Sequence, residues 1–175
     1  MTTKKKIFII VLCCLFVFIV SYGVYVYSYV HYSLTAVTKD TTPEEMVQLW
    51  FKAKDSNNTL LYDSVTGEKQ SFLRGFAGKF LGGYGGFLDR FIDRIFPDPA
   101  HITHWKFIDA TLISQSYNYE YKGTLYYAAA GLDVTFSVTT NGDSDYESGK
   151  PYHWGFGMVK ENENSKWMIT GYGVA

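Results

Sequence analysis

Lys4, Lys5 and Lys6 lead directly into an uncharged, apolar run from Ile7 to Val30, and this arrangement limits what the chain can become. At the helical rise the run spans about 36 Å, slightly more than the roughly 30 Å of a bilayer's hydrocarbon core. The lysines precede the run, so the positive-inside bias sets residues 1–6 in the cytoplasm as a short tail, with 7–30 as the span. The globular remainder is then expected beyond the cell membrane. A cleaved secretory signal is the competing reading, but such signals carry about 7–15 apolar residues and end at a small-x-small site. Here the run is longer, and the candidate site near Thr35-Ala36 follows Leu34 and lies well past it. Tyr22, Tyr25, Tyr27, Tyr29 and Tyr32 gather at the far end, where an interfacial aromatic belt belongs. Cys13 and Cys14 follow Val11-Leu12, without the small residue that lipoprotein processing needs just before the cysteine.

Both cysteines lie inside the span, so the remainder contains none and its stability must come from packing rather than disulfides. Setting Lys4–Lys6 aside leaves that remainder net acidic, which argues against nucleic acid as a partner. Residues 31–41 read as a polar linker and 42–175 as one extracytoplasmic α+β domain.

Thr42-Pro43-Glu44-Glu45 has the form of a helix start, with Thr42 as N-cap, Pro43 in the first turn and Glu45 completing a capping box. Met46, Val47, Trp50 and Ala53 follow at helical spacing, and Asp55 to Asn58 closes the element. Residues 59–70 are ambiguous, with a turn at Thr66-Gly67. From Phe72 to Phe96 the apolar residues return every three or four positions, interrupted at Gly82-Gly83-Tyr84-Gly85-Gly86 and stopped by Pro97 and Pro99. That pattern predicts two amphipathic helices, packed internally or resting on a membrane surface.

Beyond Pro99 the period falls to two. Five strands are predicted, at roughly 105–115, 117–127, 129–140, 152–160 and 166–173. Helices followed by an antiparallel meander imply α+β, with the helices on one face of a curved sheet. Within the strands, Ala128, Ala130, Leu132, Val134, Phe136 and Val138 share one side, as do Tyr152, Trp154, Phe156 and Met158. Asp133 and His153 fall on the opposite, wetter side, a poor setting for tuning a catalytic acid or base.

Other chemistry is thin. Asp143, Asp145 and Glu147 alternate as in a calcium loop, but Ser148 stands at the glycine position and Trp154 at the bidentate glutamate position. His101 and His104 beside Asp98 have metal-ligand spacing without a second ligand cluster. The glycines at 82–86 lack the lysine and hydroxyl residue of a phosphate loop, and neither a dinucleotide fingerprint nor a nucleophile elbow occurs. No cofactor and no catalytic residue is therefore expected.

The capped helix Thr42–Ala53, the segment His104-Trp105-Lys106-Phe107-Ile108-Asp109-Ala110, and Lys166-Trp167-Met168-Ile169-Thr170-Gly171-Tyr172-Gly173 resemble the nuclear-transport-factor-two-like superfamily. They are similar to small membrane-anchored exported domains of unknown function in Gram-positive bacteria. The resemblance covers 42–60 and 104–173; the stretch 72–96 has no counterpart beyond generic helices. It implies a cystatin-like cone of sheet on helices whose mouth holds a small ligand or is filled by side chains. Enzymes of that superfamily set an Asp or His with a Tyr inside the cone, and no such set matches here residue by residue.

The reading that follows is a single-pass, membrane-tethered binding or assembly module without enzymatic activity. Its partners would be the bilayer, through the N-terminal helix, and another protein or a second copy. A small ligand in the cone is the alternative, with Trp50, Trp105, Asp109 and Tyr127 as lining candidates. Two narrower options are a bitopic subunit of a conjugation or type IV secretion-like channel, and an envelope immunity or inhibitor protein.

Overall fold

The computed structural model describes residues 3–67, 101–141 and 145–174, and the chain divides into two compact units, Met1–Tyr32 and Ser33–Ala175. The expected helices over 72–96, with their glycine interruption and proline stop, lie outside the described residues, as do Asp98, Asp143 and the His101 side chain.

The first unit is helical. Helix α1 runs Thr3–Thr35, continuing through residues 31–35 that the sequence assigns to a linker. Its stretch Ile9–Thr35 is long and apolar enough to cross a membrane, a property that signal sequences share. Apolar side chains such as Ile10, Phe16, Phe18 and Val24 face outward, which in water is costly and in lipid is not.

The second unit is α+β: an open four-stranded antiparallel sheet packed on helices. Helix α2 spans Pro43–Asp55 and starts as the sequence dictates. The Glu45 N–H donates to Thr42 Oγ1 at 3.2 Å and the Thr42 N–H donates to Glu45 Oε2 at 2.8 Å. Its inner face buries Met46, Val47, Trp50, Phe51 and Ala53.

Helix α3, Thr59–Thr66, resolves the first part of the ambiguous stretch 59–70, of which 68–70 lie outside the described residues. Thr, Tyr and Val are weak helix formers, so the ends matter. Asn58 Oδ1 accepts from the Leu61 N–H at 3.0 Å, and Gly67 ends the helix in the left-handed region at φ 73°. A Cβ on Gly67 would meet Met168 Sδ at 2.5 Å, so the left-handed backbone favours glycine there and a larger residue must also displace the Met168 side chain. Asn58 also binds Ser33 in a buried pair. Ser33 Oγ donates to Asn58 Oδ1 at 3.1 Å and Asn58 Nδ2 donates to Ser33 Oγ at 2.8 Å.

The strands are β1 His101–Tyr121, β2 Thr124–Asn141, β3 Pro151–Lys160 and β4 Trp167–Gly173, in sheet order β1-β2-β3-β4. Among the described residues four strands replace the five expected, because 105–115 and 117–121 belong to one long β1 and 124–127 continues into β2 with 129–140. The chain turns at Lys122-Gly123, both with positive φ (50° and 76°), the signature of a two-residue type I′ hairpin. Leu132 lies opposite Leu112 and Phe156, and Phe136 opposite Phe107 and Tyr152, so apolar rows cross the sheet in register. These rows meet α2 and Val65 of α3 to form the core.

Candidate functional site

The space between α2 and the sheet, where the resemblance would put a cone, centres on Trp50. Its side chain is fully buried, with ring centroids 4.8 Å from Tyr172, 5.0 Å from Phe51, 5.3 Å from Phe156 and 5.9 Å from Trp105. Edge-to-face contacts of this kind fill volume efficiently. Lys54 Nζ lies 5.2 Å from the Trp50 ring and 4.6 Å from Tyr62. Among the described residues the Trp50 indole N–H has no hydrogen-bond partner, a cost the packing carries.

Of the four lining candidates, Trp50 and Trp105 come together in this cluster. Asp109 does not join them. A bulge between Phe107 and Asp109 breaks the alternation, so Phe107 faces the core opposite Phe136 while Asp109 pairs with Thr135 and is exposed. Tyr127 is also exposed, beside β1–β2 rather than in the core, with its ring 5.6 Å from Tyr117.

On the other side of the sheet, Asp133 and His153 are exposed, as their register requires. His153 Nδ1 lies 3.2 Å from Thr135 Oγ1. His104 sits on β1, not on a helical turn, with Nδ1 3.2 Å from Asp55 Oδ1; the same oxygen accepts from the Trp105 N–H at 3.0 Å and ties the end of α2 to β1. Among the described residues no group of three or more His, Cys, Asp or Glu could hold a metal ion.

Two hollows are open to solvent. One, of about 490 Å³, lies along α2 between Thr38 and Lys52. The other, of about 570 Å³, is a trough on the outer face of the sheet. Its floor is a row of small residues, Ser114, Gly131, Gly157 and Gly171, paired across all four strands. Hydroxyls and tyrosines line it, and among the described residues no charged side chain does. Among the described residues three titratable groups elsewhere are displaced by their surroundings, one of them Lys150, whose ammonium is raised by its hydrogen bond to Glu147. Burial, with help from Asp145 and Tyr152, raises the Tyr146 phenol, and burial lowers the Lys166 ammonium, whose Nζ is 3.4 Å from Ser64 Oγ.

The feature the sequence reading missed is the β1–β2 arm, a long hairpin whose closed end beyond Tyr117 and Ala128 runs past the last residue pair of β3. Ile113 is 67% exposed, Tyr117 60% and Leu125 67%, with Leu112, Tyr119 and Tyr127 also open to solvent. Among the described residues beyond α1, the exposed large apolar side chains stand on this hairpin or on β4's end at Tyr172 and Val174. The signal was present: between Asp109 and Glu120, and again from Gly123 to Leu132, the chain carries no charge.

No family model, no curated protein and no solved structure matches this chain.

Proposed function

We propose that the chain is a single-pass membrane protein whose C-terminal unit, held on the extracytoplasmic side, binds another protein through the β1–β2 arm. The exposed, uncharged arm is the observation that carries this reading. Large apolar side chains gathered in solvent on one hairpin mark an interaction site. The apolar N-terminal helix supports membrane attachment, and the lysines before it support an inward N-terminus. Ring packing around Trp50 weighs against a small ligand in the cone, and no acid–base pair lies in a dry site among the described residues. The α+β order agrees with what the nuclear-transport-factor-two-like resemblance implies, and a bitopic assembly subunit is the finer form of the proposal.

The test is photo-crosslinking in intact cells from a benzophenone amino acid at Tyr117, combined with external protease. The proposal requires a crosslinked protein product and digestion of the C-terminal unit from outside. Protection from external protease, or a Tyr117 probe that captures no protein, overturns it.

A further inference from the structure

The hollow along α2 has one wall that begins at the end of the apolar stretch. Ser33 is bonded to Asn58, just beyond the C-terminal end of α2, and Thr42 caps its start, so residues 33–42 run antiparallel beside that helix. Val37 is buried in the core, Lys39 O accepts from Lys160 Nζ at 3.3 Å, and Thr41 Oγ1 accepts from the Thr38 N–H at 2.9 Å. These contacts hold the segment without filling the space beside it. The opposite wall is one stripe of α2, formed by Glu45, Gln48, Leu49 and Lys52 at helical spacing. The volume of about 490 Å³ lies within the range of ligand pockets, roughly 300–1,000 Å³.

Length sets this hollow beside lipid headgroups. Ile9–Thr35, 27 residues, covers about 40 Å as a helix, and a bilayer with its headgroup layers is about 40–45 Å thick. A chain that crosses with this stretch emerges from the headgroup layer near Ala36, which lines the hollow. Resting on the membrane attachment proposed above, we infer that the hollow receives the headgroup of a phospholipid carrying a primary ammonium, of the ethanolamine class.

Charge order selects this class. Because the two segments run antiparallel, Lys52 lies toward the Ala36 end, and Asp40 and Glu45 lie toward the other. Counted from the point where the chain leaves the lipid, the hollow offers a cation first and carboxylates after it. A phosphoethanolamine headgroup presents the complement, with phosphate next to the glycerol and ammonium at its outer end. Glu45 Oε2 accepts from the Thr42 N–H, and a carboxylate keeps further lone pairs for an ammonium. An anionic glycerol headgroup brings no cation to the carboxylates. A choline headgroup cannot donate to them, and among the described residues no aromatic ring lines the hollow to hold a quaternary ammonium.

The test uses the full chain in nanodiscs of equal parts ethanolamine, choline and glycerol phospholipids, released for native mass spectrometry. One ethanolamine phospholipid should stay bound in preference to the other two. Lys52→Glu should lower its retention about fivefold, Lys52→Arg should keep it, and Asp40→Lys should turn the preference to the glycerol phospholipid. Both positions are exposed, and unchanged tryptophan emission confirms that each variant is folded. Equal retention of the three lipids, retention indifferent to Lys52→Glu or Asp40→Lys, or displacement by an equal concentration of soluble glycerophosphoethanolamine overturns the inference. Alkaline carbonate extraction of cell membranes separates it from the attachment reading. A chain that stays in the membrane pellet yet holds no ethanolamine lipid overturns this inference alone; a chain released to the supernatant removes both.

Discussion

Asn58 is the point at which one substitution should cost most for its size. Its side chain is 4% exposed and performs two tasks: its oxygen caps α3 through the Leu61 N–H, and its amide exchanges two hydrogen bonds with the Ser33 hydroxyl. Losing an N-cap costs about 1 kcal/mol. Breaking hydrogen bonds in a buried site adds about 1–2 kcal/mol, because water cannot replace the lost partner. Asn58→Ala should therefore destabilise the C-terminal unit by roughly 2–3 kcal/mol. All four tryptophans lie in that unit, so their emission reports its unfolding without interference from α1. In urea, with the full chain in detergent, the midpoint should fall by about 1 M or more at unchanged slope. Ser33→Ala alone should cost about 1 kcal/mol. The double variant should cost less than the sum of the singles by about 1 kcal/mol, because the pair is counted twice in that sum. An Asn58→Ala protein within about 0.5 kcal/mol of the parent, or strict additivity, would refute the reasoning.

Three further outcomes follow from the geometry, each read by the same urea titration unless stated. Gly67→Ala should cost about 1–2 kcal/mol, from the left-handed backbone and from the displacement of Met168; an unchanged midpoint contradicts the close approach. Trp50→Ala should cost about 3–5 kcal/mol, and Trp50→Phe distinctly less, since phenylalanine keeps ring contacts and removes the unpartnered indole N–H. Lys166→Met should stabilise the unit at neutral pH. Burial lowers the folded-state pKa of Lys166, so its charged form opposes folding below that pKa, and the penalty is relieved as pH rises through it. The gain from methionine should thus shrink as pH approaches the ordinary lysine range; a gain that is constant with pH would assign it to packing alone.

How far the fold could be read from residues depended on whether the signal was local. The start of α2 was legible because both halves of its capping box are short-range, and the buried side of β2 because Ala128 to Val138 alternate without interruption. The division of β1 from β2 was not. Lys122-Gly123 lacks the Asn or Asp that usually marks a type I′ turn, and tyrosines continue the strand pattern through it. Helix α3 escaped because its end groups, Asn58 and Gly67, define it more than its interior does. In the candidate site, Trp50 and Trp105 were recoverable from periodicity. Asp109 was not, since a bulge one residue earlier transfers it to the other face and alternation alone gives no warning.

The uninterrupted order of the sheet also bears on how the protein is made. Among the described strands, each one after β1 is hydrogen-bonded to the strand synthesised just before it, so each pairing can form as soon as its second member emerges, without waiting for a distant segment. The expensive interval falls earlier. Trp50 and Phe51 leave the ribosome well ahead of Trp105, Phe107, Phe136 and Phe156, and until these strands arrive the greasy side of α2 lacks its sheet. Mistakes during biogenesis should therefore concentrate in chains truncated after α2, where degradation or chaperone capture will be heaviest.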